Sequence, residues 1–426
     1  MKALTLVLAA AGVLFLAGGA QAAPGDLDGS FGTGGIVRTD FGAVNPFEDA
    51  AAVLVQPDQK IVAVGTSSGC CGDGNIALAR YSAAGTLDPT FGSGGKVLTD
   101  LQSASIDVGV GAALQPDGKI VVVGQTYAGL ATGFDFFVAR YLPGGALDPT
   151  FGNGGFVIQD LLGAGGYDTA YAVAVQKNRR IVVAGTSTAA DGIHYDVAMV
   201  RYRPDGRVDK GFGKKGLVLA GPAPASDDWA YGLAIDKKGR IVVAGQTYDA
   251  GETDFLAARF HPNGKPDTSF GSHGYAKLDL GGDDVAWGLA LQPDGRIVLA
   301  GSSDGDFALA RLDARGRLDG SFGDGGVTVT DLGGEDGANG LVLQPDGSIV
   351  VAGASDAGGD PDLAIARYGA NGVLDPGFGA GGTALADVGG DDYAYSIARQ
   401  ADGKIVAGGT TNAGANQDFV LARFLP

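Results

Sequence analysis

Acidic residues recur through this chain at fixed spacing, and carboxylates held in sets can bind a cation, share protons or serve as acid and base. The first set stands eight positions before a Gln or Asp that ends an apolar run: Glu48, Asp107, Asp168, Asp228, Asp284, Asp336 and Asp392. Seven carboxylates around one opening repel each other, so such a ring favours a bound cation, Ca²⁺ being the fitting ion, or raised pKa values. The same residues also suit a structural role, each accepting backbone N–H groups in an Asx-type turn at a strand entry. Presence in every unit is what a structural requirement produces. A second set precedes an Arg by five residues: Asp135, Asp196, Asp254, Asp306, Asp362 and Asp418, with Asn75 in the first unit. Asp304-Gly305-Asp306 and Asp360-Pro361-Asp362 add local oxygen donors without a full calcium-loop pattern, and turn chemistry explains them better.

Aromatic residues accompany the first set. Three positions after it stand Ala51, Val110, Tyr171, Tyr231, Trp287, Asn339 and Tyr395, and one position after it Trp229 and Tyr393. Aromatic rings beside carboxylates stack a sugar or hold a cation. By strict strand alternation, however, these positions share a face with Val173, Leu233 and Leu289, which predicts packing between neighbouring units. The arginines Arg80, Arg140, Arg201, Arg259, Arg311, Arg367 and Arg423 fall on a buried face and need carboxylate partners. Asp28, Asp88, Asp148, Asp209, Asp267, Asp319 and Asp375 are the repeated candidates. Catalytic constellations are poor: His194, His261 and His273 hold unrelated positions, and no H-E-x-x-H or phosphate loop occurs.

The elements that must position these residues repeat with them. LQPDGKIVVVG at 114–124 returns in six near-copies, each an apolar run, a Pro-Asp-Gly type turn and a Val/Ile run ending in Gly. This is a hairpin signature. Each unit opens with G-x-x-D-x-x-F-G-x-x-G, at 25, 85, 145, 206, 264, 316 and 372. Four strands are expected per unit, in the second unit Lys96–Leu101, Gly109–Gln115, Lys119–Gly124 and Phe136–Tyr141. Short strands, tight turns and no helical periodicity predict an all-β fold: a seven-bladed β-propeller of four-stranded blades. The run after Phe-Gly is then the outer strand of the preceding blade. Ile36–Phe41 would join the blade formed by Ala394–Phe424 and close the ring.

Composition bounds the environment. The chain has 426 residues, 76 of them Gly, and a formal charge of −18, which disfavours nucleic acid and anionic membrane surfaces. Met1-Lys2, an apolar run from Ala3 to Gly18 and the small-x-small motif Ala20-Gln21-Ala22 predict a signal peptide over 1–22. The propeller, residues 23–426, is expected to be secreted or held in the periplasm or envelope, as a monomer without a membrane span. The only cysteines, Cys70 and Cys71, are adjacent and cannot frame a fold; a vicinal bridge between them would be strained.

LDPTFGxGG, QPDGKIVVAG and DFALARY at this spacing resemble the delta-60 repeat family of bacterial secreted proteins, over residues 25–426. The resemblance implies propeller blades and carries over no reaction, ligand or catalytic residue. Repeat four departs most, with Lys210, Lys214 and Lys215 in its Phe-Gly segment and no Asp at the end of its outer strand. The expected function is non-enzymatic binding or scaffolding by the acidic face. The alternatives are a hydrolase or lyase acting on polysaccharide or peptide through its carboxylates, and a Ca²⁺-stabilised surface protein.

Overall fold

The computed structural model describes residues 22–426 apart from 44–46, 70–73, 104, 130–132, 164, 190, 250 and 415. Residues 1–21 of the expected leader and the Cys70–Cys71 pair lie outside the described residues. Every regular element among the described residues is a β-strand, and the strands form seven antiparallel blades of four. Blade 2 is representative, with inner strand Ile106–Leu114, second strand Ile120–Tyr127, third strand Phe134–Tyr141 and outer strand Phe156–Gln159. The inner strands of the other blades are Phe47–Val55, Asp168–Val175, Asp227–Ile235, Asp284–Leu291, Asp336–Leu343 and Asp392–Arg399. Blade 7 takes its fourth strand from the other end of the chain: Ile36–Thr39 pairs with Asp418–Phe424 in the register Ile36↔Ala422.

The second and third strands are buried on both faces because each blade is covered by a neighbour on either side. Ile120, Val121, Val122 and Val123 have no exposed surface, so these strands read as continuous apolar runs instead of alternating ones. The core lies between blades: Val121, Val123, Phe136 and Val138 of blade 2 meet Ile181, Val183 and Ala198 of blade 3.

The repeated polar residues tie this stack together. Arg140 Nε donates to Asp148 Oδ2 at 2.9 Å, and its guanidinium lies 4.5 Å from the Phe151 ring centre. Its Nη1 donates to the carbonyl of Pro204 in the following unit. Lys119, from the hairpin turn, reaches the same Asp148 at 2.9 Å. All seven arginines sit over the Phe of a Phe-Gly motif at 4.5–4.7 Å. The glycine of that motif donates its N–H to the next unit's turn, as Gly152 does to Asp205 at 2.9 Å. Asp28 receives Arg423 at 2.8 Å, and Gly379 donates to Pro24, so the N-terminal segment stands where a following unit would.

The glycine ending each Val/Ile run has a different task. Gly65, Gly124, Gly185, Gly245, Gly301, Gly353 and Gly409 keep an ordinary φ. A Cβ on any of them would overlap a backbone carbonyl of the inner strand, for Gly301 that of Val285. Opposite these glycines every inner strand carries a β-bulge, such as the register shift between Ala286 and Gly288.

Three substitutions test these contacts. Asp148→Asn leaves Arg140 buried with a weaker acceptor and is expected to cost about 3 kcal/mol in denaturant unfolding. In the sixth unit Ser348 replaces the hairpin Lys or Arg, and the side chains of the Arg367–Asp375 pair are 14% and 35% exposed, so Asp375→Asn should cost about 1 kcal/mol. Gly301→Ala is expected to lower stability by more than about 3 kcal/mol, because the obstacle is backbone that cannot rotate away. Its thermal midpoint checks this.

Candidate functional site

The bulges decide what faces the axis. At each one an inner-strand residue loses its cross-strand partner and turns toward the centre, which breaks the two-residue alternation. Ala51, Val110, Tyr171, Tyr231, Trp287, Asn339 and Tyr395, one from each blade, therefore line a single axial cavity of ≈ 1020 Å³. This corrects the expectation that they pack between blades. The reason is the inserted residue, which no hydrophobic pattern announces.

Aromatic residues occupy three successive blades of the wall. Tyr171 and Tyr231 meet edge to face at 4.9 Å, and Tyr231 lies 4.3 Å from Trp287 at 34°. Trp287 is 37% exposed to the cavity side of the molecule. Tyr393 and Tyr395 stack with ring centres 6.3 Å apart. The same cavity is lined by Asp283 and Asp304 of the fifth blade and by Glu335 and Asp356 of the sixth, and no Lys, Arg or His is among its described lining residues. Trp229 is not in the lining; it stacks on Tyr195 at 5.5 Å, and Tyr195 continues to Tyr167 at 5.9 Å. Asp49 is the one acidic residue adjoining the bulge position on an inner strand. Its carboxylate accepts the Thr66 amide at 3.0 Å, and burial pushes it up to about 6.

The first carboxylate set is placed differently from the ring expected around the axial mouth. Of the seven only Asp336 borders the cavity. Each lies at a blade junction, where its carboxylate reaches back toward the outer strand of the preceding blade. Amides donate to it from Phe41 to Glu48, Leu101 to Asp107, Leu161 to Asp168, Leu280 to Asp284, Leu332 to Asp336 and Val388 to Asp392, at 2.6–3.1 Å. Asp228 lacks that amide and instead accepts Ser226 Oγ at 2.9 Å. Burial pushes Glu48 and Asp228 up to about 7 despite these bonds, and raises Asp107, Asp168, Asp284 and Asp392 as well.

At five junctions a second-set residue and an Asp ending the outer strand join the first-set carboxylate, with one oxygen of each within 4.8 Å of the others. The trios are Asp40–Glu48–Asp418, Asp135–Asp160–Asp168, Asp254–Asp279–Asp284, Asp306–Asp331–Asp336 and Asp362–Asp387–Asp392. Asn75 and Gly221 take one place at each of the remaining two junctions. Burial, and then the adjacent carboxylates, push Asp135 up to about 6 and raise Asp306 and Asp362.

Asp228 yields a pH test. Between about pH 4 and 7 it is protonated in the fold and ionised in the unfolded chain, so the unfolded state holds fewer protons and stability falls as pH rises. Its contribution to that fall is about 2–4 kcal/mol. Asp228→Asn has no proton to lose, so it should match the parent thermal midpoint only at about pH 4 and below, and exceed it by a margin that grows up to about pH 7.

A family model for a β-propeller domain of unknown function, DUF5122, matches residues 56–91, 115–151, 176–212, 239–270, 292–322, 344–378 and 400–426. No curated protein matches the chain. Among solved structures, a protein of unknown function from Dyadobacter fermentans is similar at 14% identity over 92% of this chain and 100% of its own, with a TM-score of 0.46. The polysaccharide lyase Uly1 is similar at 12% identity over 88% and 90%, with a TM-score of 0.50. A PQQ-bound aldose sugar dehydrogenase from Streptomyces coelicolor is similar at 13% identity over 95% and 99%, with a TM-score of 0.42. These likenesses are of fold. The family segments fall on all seven units and cover more than half of the chain, and the protein belongs to the DUF5122 β-propeller family.

Proposed function

We propose that this propeller is a non-enzymatic binding module whose axial cavity takes a neutral or amine-bearing saccharide. One observation carries the reading: Tyr171, Tyr231 and Trp287 line one cavity together with Asp283, Asp304, Glu335 and Asp356, with no basic residue among the described lining residues. Aromatic faces stack on the C–H face of a sugar ring, and carboxylates accept its hydroxyl or ammonium hydrogens. The same negative field turns away anionic glycans. The leader-like N-terminus and the likeness to delta-60 repeats support work outside the cytoplasm, as a secreted or envelope-held monomer. No helix of the described residues is long and apolar enough to cross a membrane.

Asp49 supports a second reading, hydrolysis or elimination on a polysaccharide. Burial holds this carboxyl near 6, the range of a general acid, and the cavity it lines holds further carboxylates.

Calorimetry with chito-oligosaccharides and with anionic oligosaccharides of equal length tests the first reading. Trp287→Ala and Tyr231→Ala should each weaken binding of the amine-bearing series about tenfold or more, without loss of fold. Equal binding of the anionic series, or unchanged affinity in both variants, would overturn it. Turnover of the bound sugar that Asp49→Asn abolishes would favour the second reading.

A further inference from the structure

The five carboxylate trios are not equivalent, and their difference concerns charge. In two of them the third residue of the outer strand is basic and supplies a cation from within the chain. Arg38 lies 2.8 Å from Asp418, and Lys277 lies 2.7 Å from Asp254. At the blade 5–6 and blade 6–7 junctions the same strand position holds Val329 and Leu385. Among the described residues no Lys, Arg or His forms an ion pair with Asp306, Asp331, Asp336, Asp362, Asp387 or Asp392.

These two junctions also hold buried oxygens without partners. Asp336 and Asp392 are 3% and 0% exposed. Each uses Oδ2 to accept the amide of Leu332 or Val388 at 2.6 Å. Oδ1 of each has no hydrogen bond; Thr411 approaches Asp392 without the geometry of one. A buried carboxylate oxygen without a donor is costly unless a cation meets it. The Asp135–Asp160–Asp168 trio also lacks a basic residue, yet both oxygens of Asp168 are satisfied, by Leu161 and Ser187, so it does not share this feature.

We propose that Asp306–Asp331–Asp336 and Asp362–Asp387–Asp392 each bind one Ca²⁺, which takes the place that Arg38 and Lys277 fill at the sister junctions. Oxygens within 4.8 Å of one another suit a central ion with ligands at about 2.3–2.6 Å, and hard all-oxygen donors select Ca²⁺ over softer metals. Each ion joins the third and outer strands of one blade to the inner strand of the next. Asp336 of the first site also borders the axial cavity, whereas Asp362, Asp387 and Asp392 of the second do not line it.

The test is calorimetric titration of the leaderless chain with CaCl₂ after chelator treatment, alongside thermal unfolding in calcium and in chelator. Two equivalents and a midpoint several degrees higher in calcium are expected. Asp331→Asn and Asp387→Asn should each remove one equivalent. Both side chains are exposed, and the variant keeps the oxygen that accepts Gly333 or Gly389, so folding in chelator should be unaffected. Asp279→Asn, at the lysine-filled junction, should leave two equivalents. Lys277→Leu should add a third, since Asp284 Oδ1 is likewise unpartnered there. No binding at millimolar CaCl₂, two equivalents retained in Asp331→Asn and Asp387→Asn, or no gain in Lys277→Leu would overturn the proposal.

Discussion

The arginine that ends each third strand is the constraint on which the rest depends. A blade alone exposes two apolar faces, and apolar contact between blades is non-directional. The guanidinium adds direction: it stacks on the Phe of its own Phe-Gly segment, bonds the Asp three residues before that Phe, and donates to a carbonyl in the next unit. Each blade is thereby set in register against its successor. The Phe-Gly loop, the Asp and the hairpin Lys or Arg follow from that requirement, which is why they recur while the loop lengths drift.

The two ends of the molecule then take different work. Arginine staples sit at the end of the third strand, beside the hairpin turns. The opposite end carries the strand entries, the carboxylate trios and the mouth of the axial cavity. There the bulge frees one side chain per blade from the sheet, and this is the one position where each repeat can vary without disturbing its own pairing. Variation is what is found, from Ala51 and Val110 through Tyr171, Tyr231 and Trp287 to Asn339 and Tyr395. A repeated fold thus holds an asymmetric cavity.

Charge is organised by junction. The staple aspartates, such as Asp148, are held well below the ordinary carboxylate range by hydroxyl and amide donors and by flanking cations, which outweigh the upward push of burial. Asp135, Asp306 and Asp362 at the junctions are raised, because burial there meets several like charges. The same residue type stabilises the fold when ionised at one end and resists ionisation at the other. The local supply of cations makes the difference.

Much of this architecture was legible in the chain itself. Motif recurrence, strand-length apolar runs and turn residues determine seven four-stranded units, because a blade cannot bury its faces alone. The eight-residue spacing from Arg to Asp puts partners across one turn, while the pairing of Arg423 with Asp28 is seen only in the folded chain. The cavity was not legible. Alternation placed Tyr171, Tyr231 and Trp287 between blades, and the glycine of each Val/Ile run read only as the end of a hairpin strand. Only the folded backbone shows that this glycine makes room for a carbonyl, that the bulge opposite it redirects one residue to the axis, and that Trp229, two residues from Tyr231, turns instead toward Tyr195. Periodicity records which side of a regular strand a residue occupies. It carries no mark of an inserted residue, nor of which carboxylates from three separate strands will share one small volume.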